Sequence, residues 1–278
     1  MIKKFRRPFL LICGVVLFTT AALAYWLFHD LPSPASITDQ FIVPSVRITD
    51  RHGRLLYDVI DADNGRHLNL PLEQIPTDLI NATIATEDRN FYSNPGVDIE
   101  GIMRAFWINV QGGEVIAGGS TITQQVTRNL LLPDERGERT VKRKLRESWL
   151  AWRVARVFEK DRILAMYLNQ SYYGGLAYGV EAAAQTYFGK TAADLTLAES
   201  ALLAGLPQTP ALYNPLIDPQ AAKERQEVVL GLMLKEGYIT QEEHDIALYE
   251  PLQYAAEPYP ILAPHFVMMV QAQLDGLY

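Results

Sequence analysis

The sequence predicts a mainly α fold, preceded by one N-terminal transmembrane helix and a small β connector. Three observations carry that reading. Residues 8–28, PFLLICGVVLFTTAALAYWLF, hold no charged side chain, and about 20 apolar residues span the ~30 Å hydrocarbon layer of a bilayer. Residues 45–70 alternate with the period of strands and carry two turn signals, His52-Gly53 and Asn64-Gly65, the second of which predicts a hairpin. From Pro76 onward the apolar positions follow helical spacing almost without interruption.

The N-terminal run has an orientation. Lys3, Lys4, Arg6 and Arg7 precede it, which predicts a cytoplasmic N-terminus, while Tyr25 and Trp26 suit the far interface. The rest of the chain is then expected outside the cytoplasm, on a single-pass anchor in the cytoplasmic membrane. A cleaved signal peptide is the alternative, because Ala22-Leu23-Ala24 resembles a cleavage site. The apolar run exceeds the ~7–15 residues usual for such peptides, which favours the anchor. Leu31-Pro-Ser-Pro-Ala-Ser36 reads as a stiff linker. The expected organisation is a basic tip and anchor (1–30), a linker and β connector (31–75), a helical domain (76–250) and the start of a further connector (251–278). The last residues, ILAPHFVMMVQAQLDGLY, begin another amphipathic pattern with no stop signal, which suggests a piece of a longer protein.

Composition narrows the function. The 278 residues are 49% hydrophobic and 21% charged, enough for a sizeable core. The formal charge is −7, and four of the bases lie in the N-terminal tip, so the remainder carries −11. A domain this acidic is no general nucleic-acid binder, and any anion site on it needs a local basic cluster. The single cysteine, Cys13, makes no internal disulfide, and with five scattered histidines it offers no metal-ligand spacing.

Helices are expected at 77–89, 98–110, 120–131, 139–168, 176–187, 195–206, 219–236 and 241–249. The first raises a charge problem. Pro76, Thr77 and Asp78 suit its first turn, which places Glu87 and Asp88 together in its last. A helix C-terminus carries partial negative charge and disfavours a carboxylate by about 0.3–1 kcal/mol. Two acids side by side therefore stand where helix geometry fits them worst.

Residues 117–125, AGGSTITQQ, form a glycine-rich entry to a helix, with Thr121 and Gln124 in a capping-box pattern. Such an entry presents free N–H groups to an anion, although most are simply well-capped helices. Residues 139–156, RTVKRKLRESWLAWRVAR, hold seven bases and one acid. Arg143 and Lys144 stand four and three positions before Glu147, on one helical face. One acid does not neutralise seven bases, so the stripe favours a phosphate ligand, with Arg128 and Arg136 extending it upstream. The apolar run around Phe106 and Trp107 fits either a core helix or one dipping into a membrane interface.

Together these stretches resemble the glycosyltransferase family 51 domain, the peptidoglycan glycosyltransferase of class A penicillin-binding proteins. Its first motif, Glu-Asp-x-x-Phe-x-x-His-x-Gly-x-Asp, is matched from Glu87 to Asp98; its second, Gly-x-Ser-Thr-x-Thr-Gln-Gln, from Gly118 to Gln125; its third, Arg-Lys-x-x-Glu, from Arg143 to Glu147. Residues 160–169 resemble the fourth and residues 179–190 the fifth. The 61–65 turn and Asn94-Pro95-Gly96 lean towards the penicillin-binding protein 1C-like branch, and the chain would stop before a transpeptidase domain.

The resemblance implies a lysozyme-like α fold and an inverting enzyme that polymerises lipid II, with release of undecaprenyl pyrophosphate, in bacterial cell wall synthesis. It implies Glu87 as the base and Glu147 as the second catalytic carboxylate. It places Asp88, Ser120, Thr121, Gln124, Gln125, Arg128, Arg136, Arg143 and Lys144 among the residues that bind substrate and pyrophosphate. Its partners are lipid II, the growing glycan strand, membrane lipid and other cell wall synthesis proteins. It calls for no cofactor, though it permits a divalent cation such as Mg2+ at the pyrophosphate. Two positions depart from the pattern: Asn94 replaces the usual histidine, and Ala165 a glutamate of the fourth motif. A lysozyme-like lytic hydrolase and a non-catalytic lipid II-binding scaffold are the rival readings. The cationic stripe opposes the first, since hydrolysis of a polymer needs no pyrophosphate site.

Overall fold

The computed structural model describes residues 2–40, 44–60, 65–98, 101, 119–255 and 261–275, with side chains at all of them except 2–12, 39–40 and 275. The helix expected at 98–110, with Phe106 and Trp107, falls almost wholly outside these residues, as does Gly118.

Helix α1 (Ile2–Phe28) covers the apolar run in one piece. Among the described residues no helix is long and apolar enough to cross a membrane; the basic tip and the start of the expected span lie outside the described side chains. At its C-terminal end α1 meets the helical domain. The rings of Phe28 and Trp149 lie 5.4 Å apart, and the Lys142 ammonium sits 4.7 Å over Trp26. Arg146 donates to the Leu27 carbonyl at 2.8 Å and to Asp30 at 2.6 Å. Residues 31–40 are therefore not a free linker. A 3₁₀ turn, Pro34–Gln40, puts Ile37 at 0% exposure in the main core, because burying that side chain is worth about 1.5–3 kcal/mol.

The β region differs from the hairpin expected at Asn64-Gly65. Strands β1 (Arg47–Thr49) and β2 (Leu55–Asp58) do pair antiparallel, Ile48 opposite Tyr57, with a bulge at Ile48/Thr49. Asp50 closes their turn by accepting from the backbone N–H groups of His52 and Arg54. Strand β3 (Arg66–His67) pairs instead, in parallel, with β4 (Ala177–Tyr178). The cause is long-range: the Arg66 guanidinium is gripped by Asp58 on one side and Gln185 on the other, and His67 stacks on Tyr178. Ile48 and Leu56 form a small second core with Val267.

The main core is helical. Helix α2 (Thr77–Glu87) buries Leu79, Ala82, Ile84 and Ala85 against α7 (Leu197–Gly205) and α8 (Pro219–Lys235). Helix α3 (Ile122–Leu131) lies on α4 (Val141–Val157) and α5 (Lys160–Gln170). Helices α6 (Val180–Phe188), α9 (Gln241–Tyr249) and α10 (Pro264–Asp275) complete the set among the described residues. The single helix expected at 139–168 is two, because Phe158 and Glu159 are extended, Phe158 at φ −116°, ψ 142°. The apolar period continues through the break, since Phe158 still turns its ring into the core.

Candidate active site

Helix α2 ends where the sequence places its two acids, and they take different environments. Glu87 is the last helical residue. Burial pushes its carboxyl above the ordinary value of 4.5; Gln125 and the charges of Arg225 and Arg128 oppose that rise, while Asp88 adds to it. Burial, rather than the neighbouring acid, is the principal cause of that rise. Nε2 of Gln125 donates to Oε2 of Glu87 at 2.6 Å. The buried tyrosines Tyr167 and Tyr173 complete the surroundings, both with phenols raised by burial and then by the Glu87 charge.

Asp88 does other work. It caps α2 and is buried, with its carboxyl also raised by burial. Its two oxygens accept from Asn94 Nδ2 at 2.9 and 3.0 Å, and Oδ2 accepts from the Ile122 N–H at 3.2 Å. A carboxylate bonded to Asn94 and to the first N–H of α3 is a bracket between two helices. Asn94 Oδ1 in turn accepts from Gly96 N–H at 2.9 Å and from Lys160 at 3.2 Å. Asparagine thus supports the loop by hydrogen bonds alone, with no proton to gain or lose.

Gly96 seats that loop on α4. Its φ is +97°, and a Cβ there would stand 2.5 Å from the Ala151 carbonyl oxygen. The Gly96 carbonyl accepts from Thr121 Oγ1 at 2.7 Å. Thr121 and Gln124 form the expected capping box, and Gln124 Nε2 donates to Ser148 at 2.9 Å. Both residues hold α3 in place; Gln125, one residue on, reaches Glu87.

Two bases of the cationic stripe, Arg143 and Lys144, meet Glu147, which is fully buried. Lys144 Nζ lies 2.6 Å from Glu147 Oε1 and 2.7 Å from Ser120 Oγ. Arg143 pairs with Oε2, and Arg128 Nη1 approaches it to 4.0 Å. Burial holds the Lys144 ammonium below the ordinary lysine value, and the Glu147 charge opposes this. Arg146 faces away, to Asp30 and Glu135. Arg136 is exposed in the turn after Pro133–Glu135 and stands outside the described cluster. Among the described residues no group of three or more His, Cys, Asp or Glu side chains could hold a metal ion.

One helix face joins the two carboxylates. Gln125 and Arg128, three positions apart on α3, reach Glu87 and Glu147 respectively.

A family model described as Transglycosylase matches residues 52–234. The chain belongs to the transglycosylase family. Penicillin-binding protein 1A of Aquifex aeolicus (strain VF5) is 41% identical to this transglycosylase chain over 270 residues, 96% of this chain and 36% of that protein. Penicillin-binding protein 1A of Escherichia coli (strain K12) is 40% identical over 281 residues, 99% and 32% respectively. The crystal structure of penicillin-binding protein 1A from Haemophilus influenzae aligns with a TM-score of 0.47 at 29% identity, over 84% of this chain and 24% of that one. The chain spans about a third of the length of these curated relatives. They bear the 1A name, so the lean towards a 1C-like branch finds no support in them. The matched residues, 52–234, include β2 and β3.

Proposed function

We propose that this chain is a peptidoglycan glycosyltransferase, polymerising lipid II into glycan strands by an inverting transfer. The observation that carries the reading is the pairing made by α3: a half-buried, proton-hungry carboxyl at Gln125 and, one turn on, a carboxylate surrounded by three cations at Arg128.

In this reading Glu87 is the base. It takes the proton of the 4-hydroxyl of the acceptor GlcNAc as that oxygen attacks C1 of the donor MurNAc, and the bond from C1 to the lipid pyrophosphate breaks. A raised pKa suits it, because a general base works best near the operating pH. Lys144, Arg143 and Arg128 stabilise the negative charge that grows on the departing pyrophosphate, an effect typically worth several kcal/mol when the cations are preorganised. Glu147 preorganises them, and Ser120 fixes the Lys144 ammonium from the other side. Asp88, Asn94, Thr121 and Gln124 hold the helices that carry these groups.

A lipid-linked substrate fits a membrane-anchored enzyme. Val15, Val16, Leu17, Phe18, Leu23, Tyr25 and Trp26 of α1 are all exposed, which supports a single-pass anchor with its N-terminus inside and the transglycosylase domain on the extracytoplasmic face.

The test gives the full chain, in detergent, labelled lipid II and follows polymer on a gel beside Glu87→Gln. Strands from the parent and none from the variant are expected. Bound but unpolymerised lipid II would favour the scaffold, and cleavage of finished glycan would favour the hydrolase.

A further inference from the structure

One base of the cationic stripe turns away from Glu147. Arg146 is 4% exposed, and its charge is fully engaged elsewhere. Nη1 donates to the Leu27 carbonyl at 2.8 Å and to Asp30 Oδ1 at 2.6 Å, and Nη2 reaches Asp30 Oδ2 at 3.2 Å. Nε lies 3.0 Å from Glu135. Three pieces of chain therefore meet at one guanidinium: the end of α1, α4, and the turn that follows α3. The Leu27 carbonyl is among the last four of its helix, which have no partner within it, and a cation there also meets the negative end of the helix dipole. Burying a charge is costly unless it is paired and hydrogen-bonded, so an arginine held by two carboxylates and a carbonyl is committed to this junction.

The same face of α4 makes the rest of the junction. Lys142, Arg146 and Trp149 stand at i, i+4 and i+7. The Lys142 ammonium lies 4.7 Å over the Trp26 ring, and the rings of Trp149 and Phe28 lie 5.4 Å apart. Trp152 stacks on Trp149 at 5.2 Å, and Arg156 covers Trp152 at 3.6 Å, indole and cation chemistry that suits a bilayer interface. Arg143, Lys144 and Glu147 occupy the same stretch of helix. Residues 142–149 span about 10 Å of helix axis, and a helix with its side chains is about 10–12 Å across. The end of α1 and the cation–carboxylate cluster thus share one level of α4, on different sides of it. An anchor that only tethers a domain is served by a flexible linker; a buried guanidinium at its last turn fixes the domain instead.

We propose that Arg146 is a positioning residue: it locks the end of the membrane anchor to α4 and so holds the Arg143, Lys144 and Glu147 cluster at headgroup level, where a lipid carrier presents its pyrophosphate. This rests on the readings of α1 as the anchor and of the cluster as the pyrophosphate site. The headgroup region on each side of a bilayer is only about 5–8 Å deep, so a domain free to swing on a tether would hold the cluster away from that layer much of the time. Fixing the pose raises the effective concentration of substrate at the site without adding a contact to the substrate. The gain exists only for a substrate held in the same bilayer. A substrate in free solution gains nothing from it.

The experiment compares two substrates on the full chain in vesicles of phosphatidylcholine and phosphatidylglycerol: lipid II in the same vesicles, and a short-chain, water-soluble lipid II analogue. In Arg146→Met the KM for vesicle-borne lipid II should rise about tenfold with kcat near the parent's, while the soluble analogue stays within about twofold of parent in both constants. Asp30→Ala loosens the half-exposed side of the junction and leaves Arg146 beside Glu135. It should show the same split to a smaller degree, and it decides the matter should Arg146→Met not fold. Arg146→Lys restores the charge without the two-pronged grip and should recover part of the loss. Equal losses on both substrates, or none on either, would overturn the proposal. A second readout needs no polymerisation. Leu23 on α1 and Val157 on α4 are exposed, and spin labels at Leu23→Cys and Val157→Cys, with Cys13→Ser, should give one narrow distance distribution in the parent and a broad one in Arg146→Met or Asp30→Ala. Broadening supports the lock even if lipid II is never polymerised; distributions that stay narrow in both variants sink it even if polymerase activity is present.

Discussion

The amide of Gln125 lies 2.6 Å from the carboxylate of Glu87, bridging α3 to the end of α2 across 38 residues of chain. That bond favours the ionised form of a group that its surroundings would otherwise protonate.

The first prediction concerns stability against pH. The carboxyl of Glu87 lies above its ordinary 4.5 in the folded protein. An acid whose pKa is raised on folding contributes stability that is fully present below the unfolded value and is lost as pH rises through the folded value. Glu87→Gln removes that loss. The variant should be inactive yet more stable than the parent by about 1 kcal/mol at neutral pH, with the two converging below pH 4.5; denaturant melts across the pH range would show it. A gap that stays constant with pH would count against a strained carboxylate.

The Glu147 cluster predicts two different losses. Glu147→Gln leaves Arg143, Lys144 and Arg128 without their shared anion, and should destabilise the fold by about 3 kcal/mol. Lys144→Met removes one cation and leaves the others paired. It should fold nearly as well while losing at least roughly a hundredfold in polymerisation. Thermal melts beside lipid II assays separate the two, and a Lys144→Met protein of parental activity would contradict the assigned role.

Asn94 offers a purely structural test. Asn94→Ala strips Asp88 of both side-chain bonds and leaves only the Ile122 N–H at 3.2 Å. A cost of about 2 kcal/mol is expected for a buried carboxyl so exposed to loss, measurable as a lowered denaturant midpoint.

Gly96 should tolerate no side chain. Besides the carbonyl contact, a Cβ there would lie 2.9 Å from Ala155 Cβ, and the φ of +97° is foreign to L residues. Gly96→Ala is expected to cost about 3 kcal/mol, from strain and clash together. A variant of native midpoint would show that the loop can lift from α4 without penalty.

Much of this site was legible before the fold was known. The capping box at Thr121 and Gln124, the pairing of Arg143 and Lys144 with Glu147, and the end of α2 near Glu87 all depend on separations of three or four residues, which helical geometry turns directly into contact. Period and capping also fixed the places of α7, α8 and α9 to within about two residues.

The remainder depends on partners far away in the chain, for which local spacing holds no signal. Strand β3 left the hairpin because Arg66 and His67 found Gln185 and Tyr178. Asp88 became a bracket because the Ile122 N–H, 34 residues on, arrived at its carboxylate. Arg225 sits in an ordinary helical stretch, and only the packing of α8 against α7 brings its guanidinium to the Gly205 carbonyl. The sequence by itself determined where most of the described helices lie, which acids are ill-placed and where the cations concentrate, since those follow from near neighbours. Tertiary structure alone decided that Glu87 meets a single amide donor while Asp88 is consumed as a tie between helices, because those partners arrive from distant parts of the packed chain.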